Sequence, residues 1–163
     1  MVVAVVVAVT AVAMIPLAAL MAQPSSTPFT VVETNRGYAN LQAAVDAIGS
    51  GEGSIAIAPG TYRQCAVQSE GRVAFLATEP GQVEFTATAC EGKAALVLRG
   101  AEASVSGIIF SRIAVADGNG AGIRQEAGNL TVANSWFRDS QQGILTAHDE
   151  MMRLVVDRST FTR

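Results

Sequence analysis

Aromatic residues make up only 6% of this 163-residue chain, and charged residues only 15%. Half of the chain is nonetheless apolar, so the apolar content is Ala, Val, Ile and Leu, punctuated by 15 Gly. Small and β-branched residues broken by frequent turns suit many short strands and exclude an architecture of a few large helices. Basic charge is scarce: one Lys, Lys93, stands beside ten Arg, the net charge is −3, and no basic run occurs. The chain therefore lacks the face that neutralises phosphates, and nucleic acid is excluded as a partner. Cysteine is limited to Cys65 and Cys90, without a Cys-x-x-Cys, and histidine to His148. That set is too sparse for a zinc site.

The first residues lack charge altogether. Val2 to Ala22 carries no charged side chain, and the composition shifts abruptly at Gln23-Pro24-Ser25-Ser26-Thr27-Pro28. An apolar core, a small residue and a polar Pro/Ser stretch read as a cleaved signal peptide over residues 1–22. No Lys or Arg precedes the run, which is long enough to span a bilayer, so an uncleaved membrane anchor is the second reading. Pro16 argues against the anchor by interrupting a spanning helix. Either way the remainder is expected to be secreted or periplasmic. An oxidising compartment allows Cys65 and Cys90 to pair, and a disulfide is expected between them, two buried thiols being the alternative.

Residues 23–39 read as a linker and lead-in segment, and residues 40–163 as one repeat domain. Helical pattern occurs only once. Asn40 is a suitable N-cap, Leu41, Ala44, Val45 and Ile48 share one face, and Gly49 ends the run. So short a helix cannot stand alone, and it is expected to cap the first coil of the repeat domain. Thereafter come short apolar segments: 54–58, 65–68, 72–77, 83–86, 94–98, 104–109, 122–126, 130–133, 143–146 and 154–157. No connection is long enough for the crossovers of a doubly wound sheet, about a dozen residues each.

A repeat organises these segments. Leu130 to Phe137 recurs 24 residues later as Leu154 to Phe161, and has an antecedent 27 residues earlier in Ala103 to Phe110. The alignment puts Val105, Val132 and Val156 in one register, and Phe110, Phe137 and Phe161 in another. A parallel series runs through Ala95-Leu96-Val97, Gly122-Ile123-Arg124 and Gly143-Ile144-Leu145. Such self-similarity marks a solenoid whose coils bury side chains only against their neighbours. The expected fold is all-β: a right-handed, single-stranded parallel β-helix with a short N-terminal capping helix. Four to five coils would stack to roughly 20–25 Å. The last motif, Phe161-Thr162-Arg163, has no covering element after it, so the solenoid reads as incomplete at its C-terminal side, or as oligomerising through an open coil.

On these residues, the chain from about residue 29 to 163 resembles the bacterial right-handed parallel β-helix proteins of the pectate-lyase-like superfamily. Ile55-Ala56-Ile57-Ala58-Pro59-Gly60-Thr61-Tyr62 looks like the opening coil of that group. Gly118 to Arg124, Asn129 to Phe137 and Gly143-Ile144-Leu145 look like its repeating signature. The resemblance implies a fold, and a ligand class of polysaccharides that is bound or processed. It is specific for scaffold and weak for activity. The paired-Asp and Gly-His-Gly arrangements of polygalacturonase-like hydrolases are missing, as is the constellation of a pectin methylesterase. If the chain is an enzyme, lyase-type proton abstraction from a uronate polymer is the expected chemistry. The competing expectation is a non-catalytic surface or adhesive module, or an inactive fragment.

Few residues could carry that chemistry. Asp117 and Asn119 offer oxygens at i and i+2 on a loop, which would suit calcium, or simply make a turn. Arg124 and Glu126 alternate on one strand, and with Arg138 and Asp139 on the following coil they are expected to form a charged groove for an acidic or hydroxyl-rich sugar. The plain alternative is a solvated face with weak ion pairs. His148, with Asp149 and Glu150 beside it, is the candidate general acid/base, or else three loop residues.

Overall fold

The computed structural model describes residues 27–148 and 150–163. The segment expected to be a signal peptide, residues 1–22, and Asp149 therefore lie outside the described residues, as does the start of the segment expected to be a linker.

The segment expected to be a linker carries structure. Strands β1 (Phe29–Val31) and β2 (Arg36–Tyr38), joined through a single 3₁₀ turn, pair antiparallel. Helix α1 (Leu41–Ile48) comes next, as expected: the Asn40 side chain accepts from the Ala43 N–H at 3.3 Å, and Leu41, Ala44 and Val45 are buried. Three coils then run through β3 (Glu52–Ile57), β4 (Gly60–Tyr62) and β5 (Ala66–Gln68); β6 (Arg72–Ala77), β7 (Val83–Thr86) and β8 (Ala94–Leu98); β9 (Glu102–Ser106), β10 (Ile108–Ser111) and β11 (Ala121–Gln125). A fourth uses β12 (Asn129–Ala133), β13 (Trp136–Arg138) and β14 (Gln142–Thr146), and β15 (Arg153–Asp157) and β16 (Thr160–Thr162) begin a fifth.

The chain visits three sheets in rotation. Sheet A holds β3, β6, β9, β12 and β15, sheet B holds β4, β7, β10, β13 and β16, and sheet C holds β5, β8, β11 and β14. All of these pairings are parallel. The fold is thus mostly β, built of open parallel sheets rather than a barrel. The registers read from the repeat hold: Val105 pairs with Val132 and Val132 with Val156, while Phe110 pairs with Phe137 and Phe137 with Phe161. Leu96, Ile123 and Ile144 align in the same manner.

Alternation sends every second side chain inward, where it meets its counterpart one coil away. Ring centroids in the resulting aromatic stack are 6.0 Å apart for Phe85–Phe110, 5.1 Å for Phe110–Phe137 and 4.8 Å for Phe137–Phe161. Phe29 and Tyr62 extend the stack at the helix-capped end.

Several corners between sheets turn on one left-handed residue. Gly107, Asn134 and Arg158 turn the chain from sheet A to sheet B with φ of 76°, 50° and 42°, and Ala87, Arg112 and Asp139 leave sheet B with φ of 52° each. A left-handed residue costs a side-chain-bearing position about 1–2 kcal/mol, and neighbouring serines help to hold the bend. Ser135 Oγ accepts from the Ile108 N–H and donates to the Ala133 carbonyl, and Ser159 repeats the pattern one coil on. From sheet C to sheet A, Gln68 donates to the Gly71 and Glu102 carbonyls, and Gln125 to those of Gly128 and Arg153.

One end of the stack is closed. Strand β1 covers the edge of β3, and the Gln42 side chain of α1 satisfies both backbone groups of Val67 on β5, at 2.7 and 2.9 Å. Glu33 accepts the Ser54 N–H at 2.9 Å beyond the end of β1. These partners occupy strand-edge groups that would otherwise pair with another chain.

Candidate functional site

The outer face of sheet B concentrates the polar chemistry. Because Phe85, Phe110, Phe137 and Phe161 point inward, their strand neighbours point out. Glu84, Ile109, Trp136 and Thr160 form one row in register, and Thr86, Ser111, Arg138 and Thr162 form the next. Ser111 Oγ donates to Glu84 Oε1 at 2.5 Å, and 2.8 Å separates it from Thr86 Oγ1. A hydroxyl has one proton to give, so Thr86 is the donor to Ser111. Arg138 Nη2 donates to the same Glu84 oxygen at 2.9 Å, and its guanidinium carbon lies 4.9 Å from the Trp136 ring centroid. Trp136 is 39% exposed, and its Nε1 donates to Thr162 Oγ1 at 2.9 Å. Thr86 and Ser111 are themselves buried, so the face offers one aromatic platform, one guanidinium and the exposed hydroxyls of Thr160 and Thr162.

Burial alone would raise the Glu84 carboxyl. The hydrogen bonds from Ser111 and Arg138, and the charges of Arg138 and Arg112, outweigh it and hold Glu84 below the ordinary carboxylate range.

A second charged cluster lies outside sheet C. There Val67, Val97, Arg124 and Leu145 occupy one outward row. The segment between β7 and β8 folds back over this row, so Ala94, Val97 and Ala121 form a small second core with Cys90, Val67 and Leu145 against it. The expected disulfide Cys65–Cys90 pins that segment to the preceding coil, with Cα atoms 5.5 Å apart. Glu126 accepts from Lys93 Nζ at 2.8 Å and Arg99 Nε at 2.7 Å, and Arg99 also grips Glu91 through both terminal nitrogens. Hydrogen bonds from Arg99 hold Glu91 down at about 2, and those from Lys93 and Arg99 lower Glu126. Both carboxyls are locked as anions and are poor proton donors.

The residues singled out in the sequence are scattered by this geometry. Arg124 and Glu126 do not share a groove with Arg138 and Asp139: the first pair belongs to the outside of sheet C, whereas Arg138 ends a sheet B strand. The expectation failed because β12 and two corners lie between β11, which ends the third coil, and β13 in the fourth. Arg124 Nε is 3.6 Å from Glu126 Oε1, so these two form an ion pair without a hydrogen bond. Asp139 is exposed at a left-handed corner, its place set by backbone geometry. Asp117 Oδ1 accepts from the Asn119 N–H at 3.0 Å, the mark of a side-chain-closed turn. Among the described residues no three His, Cys, Asp or Glu side chains gather at one metal-sized point. His148 is exposed on the turn after β14, and its expected companion Asp149 is not among the described residues.

Glu84, Ser111 and Trp136, with Glu91, Lys93 and Arg99, do not stand out in the sequence as site residues. A signal for the first three is present in the Phe register: stepping one residue back from Phe85, Phe110 and Phe137 gives Glu84, Ile109 and Trp136, and stepping one forward gives Thr86, Ser111 and Arg138.

No protein-family model matches the chain, and neither a curated protein nor a solved structure matches it.

Proposed function

We propose that the chain is an exported right-handed parallel β-helix whose outer sheet B face binds an acidic or hydroxyl-rich polysaccharide without cleaving it. The observation that carries this reading is Trp136, an exposed indole in a regular face with Arg138 against it and Thr160 and Thr162 alongside. Sugar rings present an apolar C–H face, which an exposed Trp accepts, while hydroxyl and guanidinium neighbours take the polar rim. Arg112, exposed at the adjoining corner, would meet a sugar carboxylate. A regular sheet face running across the coils suits a chain-like ligand better than a small one.

Right-handedness is supported by the general rule that parallel strand-to-strand crossovers within a sheet wind that way. Export is supported by the apolar residues 2–22 and by the disulfide, which persists in oxidising compartments. Among the described residues no helix is long and apolar enough to cross a membrane. Likeness to pectate-lyase-like proteins, including Pro59-Gly60-Thr61-Tyr62 leading through β4, points to polysaccharide as the ligand class. Binding is favoured over lysis because the two charged clusters hold their carboxylates ionised and ion-paired, and neither offers an acid or base poised near neutral pH.

Affinity electrophoresis through gels containing polygalacturonate, alginate or a neutral glucan tests the proposal. Retardation is expected in the two uronate gels, with Trp136→Ala weakening it at least tenfold while circular dichroism stays unchanged. Equal retardation of the variant, or none for the parent, refutes this site. Unsaturated product absorbing in the ultraviolet would replace binding by lyase activity.

A further inference from the structure

The longest connection from a sheet B strand to a sheet C strand is the loop of residues 112–120, between β10 and β11. A side chain from the next coil closes it. Gln141 Oε1 accepts the Val115 N–H at 2.9 Å and the Gly120 N–H at 2.7 Å, and its Nε2 donates to the Val115 carbonyl at 3.1 Å. The backbone adds to this staple: the Gln141 N–H donates to the Ile113 carbonyl, and the Gln142 N–H to that of Gly120. Outside the staple the tip, Ala116 to Asn119, is exposed.

The tip closes on Asn119-Gly120, and no other Asn of the chain precedes a Gly. The pair permits a reaction that needs only water. The Gly120 nitrogen attacks Asn119 Cγ, a new N–C bond forms, and the side-chain nitrogen leaves as ammonia, giving a cyclic imide. Water then opens the imide at either carbonyl. One product is Asp; the other is an isoaspartate, whose main chain runs through the former side chain. A side chain on the second residue would crowd the ring closure, and glycine has none.

Packing fixes this glycine. A Cβ on Gly120 would stand 2.7 Å from Ala114 Cα and 2.8 Å from the Val115 nitrogen, backbone that cannot step aside. The fold thus retains a vulnerable pair, and it also restrains it. Gly120 is buried, and the N–H of the attacking nitrogen is the one that Gln141 holds. Reaction requires that nitrogen to lose its proton and turn onto Cγ, which the hydrogen bond opposes.

We propose that Asn119 is a self-modification site gated by Gln141, deamidating only when the loop opens and Gly120 leaves the Gln141 carboxamide. Each such opening risks an irreversible mark, a new carboxylate or an added main-chain carbon beside the point that Gln142 grips. The neighbouring Asp117-Gly118 forms the same imide by losing water, and its products keep the parent mass.

Incubation in mildly alkaline buffer tests this, with the tryptic peptide Ile113–Arg124 followed by mass and isoaspartate counted by enzymatic methylation. The folded parent should deamidate at least about tenfold more slowly than the same chain unfolded in guanidinium chloride. Gln141→Leu, with the circular dichroism of the parent, should deamidate at least about fivefold faster than the folded parent, and its Gly120 amide should exchange with deuterium faster by a matching factor. If the Leu variant does not fold, graded sub-denaturing guanidinium on the parent decides, because deamidation must then rise in step with Gly120 exchange. A folded parent that reacts at the unfolded rate, a folded variant that keeps the parent rate, or deamidation that ignores Gly120 exchange overturns the proposal.

Discussion

Arg138 on β13 reaches back past the whole intervening coil to Glu84 on β7, setting its Nη2 2.9 Å from Oε1. The pair ties coils that share no backbone hydrogen bond, and Ser111 on the strand between them completes the link.

This link makes stability depend on pH. Glu84 and Glu126 are held below their ordinary value of 4.5 in the folded chain. A depressed folded value means that the unfolded chain binds the proton more readily, so the contribution is complete above the unfolded value and disappears as pH falls through the folded one. Stability measured by urea unfolding should be level from neutral pH to somewhat above 4.5 and then decline steeply. Glu84→Gln should cost about 1–2 kcal/mol at pH 7, the scale of a hydrogen-bonded charge. It should also make the acid decline shallower. A variant with an unchanged acid slope would remove Glu84 from this account.

Core truncations should be graded by position in the aromatic stack. Phe137 lies between Phe110 and Phe161 and is 2% exposed, whereas Phe161 is 52% exposed. Phe137→Ala should cost about 3–5 kcal/mol, as burial on both sides leaves a cavity that cannot collapse. Phe161→Ala should cost well under half of that. Chemical unfolding of the two variants separates them; equal losses would mean that Phe161 is as well covered as Phe137 in solution.

Legibility in the sequence depends on side-chain size and corner length. The Val105–Val132–Val156 and Phe110–Phe137–Phe161 registers are legible because large inward residues recur where the core demands them. Strands β4, β13 and β16, three residues each, leave no separate mark, and residues 104–109 read as one segment although Gly107 splits them into β9 and β10. A one-residue corner leaves too little polar sequence to mark a turn. The antiparallel pairing of β1 with β3 and of β2 with β1 is hidden because addition at a sheet edge obeys no repeat. The site is harder still. Glu84 and Arg138 are 54 residues apart, and joining them requires both the register and the reach of an Arg across two strand spacings. Arg124 and Arg138 are close in sequence, yet belong to different sheets.

Corner glycines should divide into two kinds. Gly128 has φ of +64°, and a Cβ there would sit 2.1 Å from the Gly100 carbonyl oxygen and 2.5 Å from that of Ala101. Gly81 has φ of +78° with nothing within 4 Å. Gly81→Ala should therefore cost only the left-handed strain, about 1–2 kcal/mol. Gly128→Ala must also displace backbone shared by two coils and should cost clearly more, with a lower thermal midpoint. Similar midpoints for the two variants would show that the coils slide apart more easily than their shared hydrogen bonds imply.

The disulfide should matter for both chain entropy and local cover. Cys65 and Cys90 close a loop spanning 25 residues, for which cross-linking of the unfolded chain is worth about 3.5 kcal/mol. The bond also holds the segment between β7 and β8 against Val67, Val97 and Ala121, and brings Glu91 to Arg99. Replacing both cysteines by serine should lower stability by about 3–4 kcal/mol in the chain-entropy account. Amide hydrogen exchange should meanwhile accelerate first at Cys90 and Ala94, whose backbone groups bond to each other, while β9 and β12, which lie between neighbours in sheet A, stay protected. Uniform acceleration throughout the coils would instead mean that the disulfide acts only on the unfolded chain, and that the folded-back segment is held by its ion pairs.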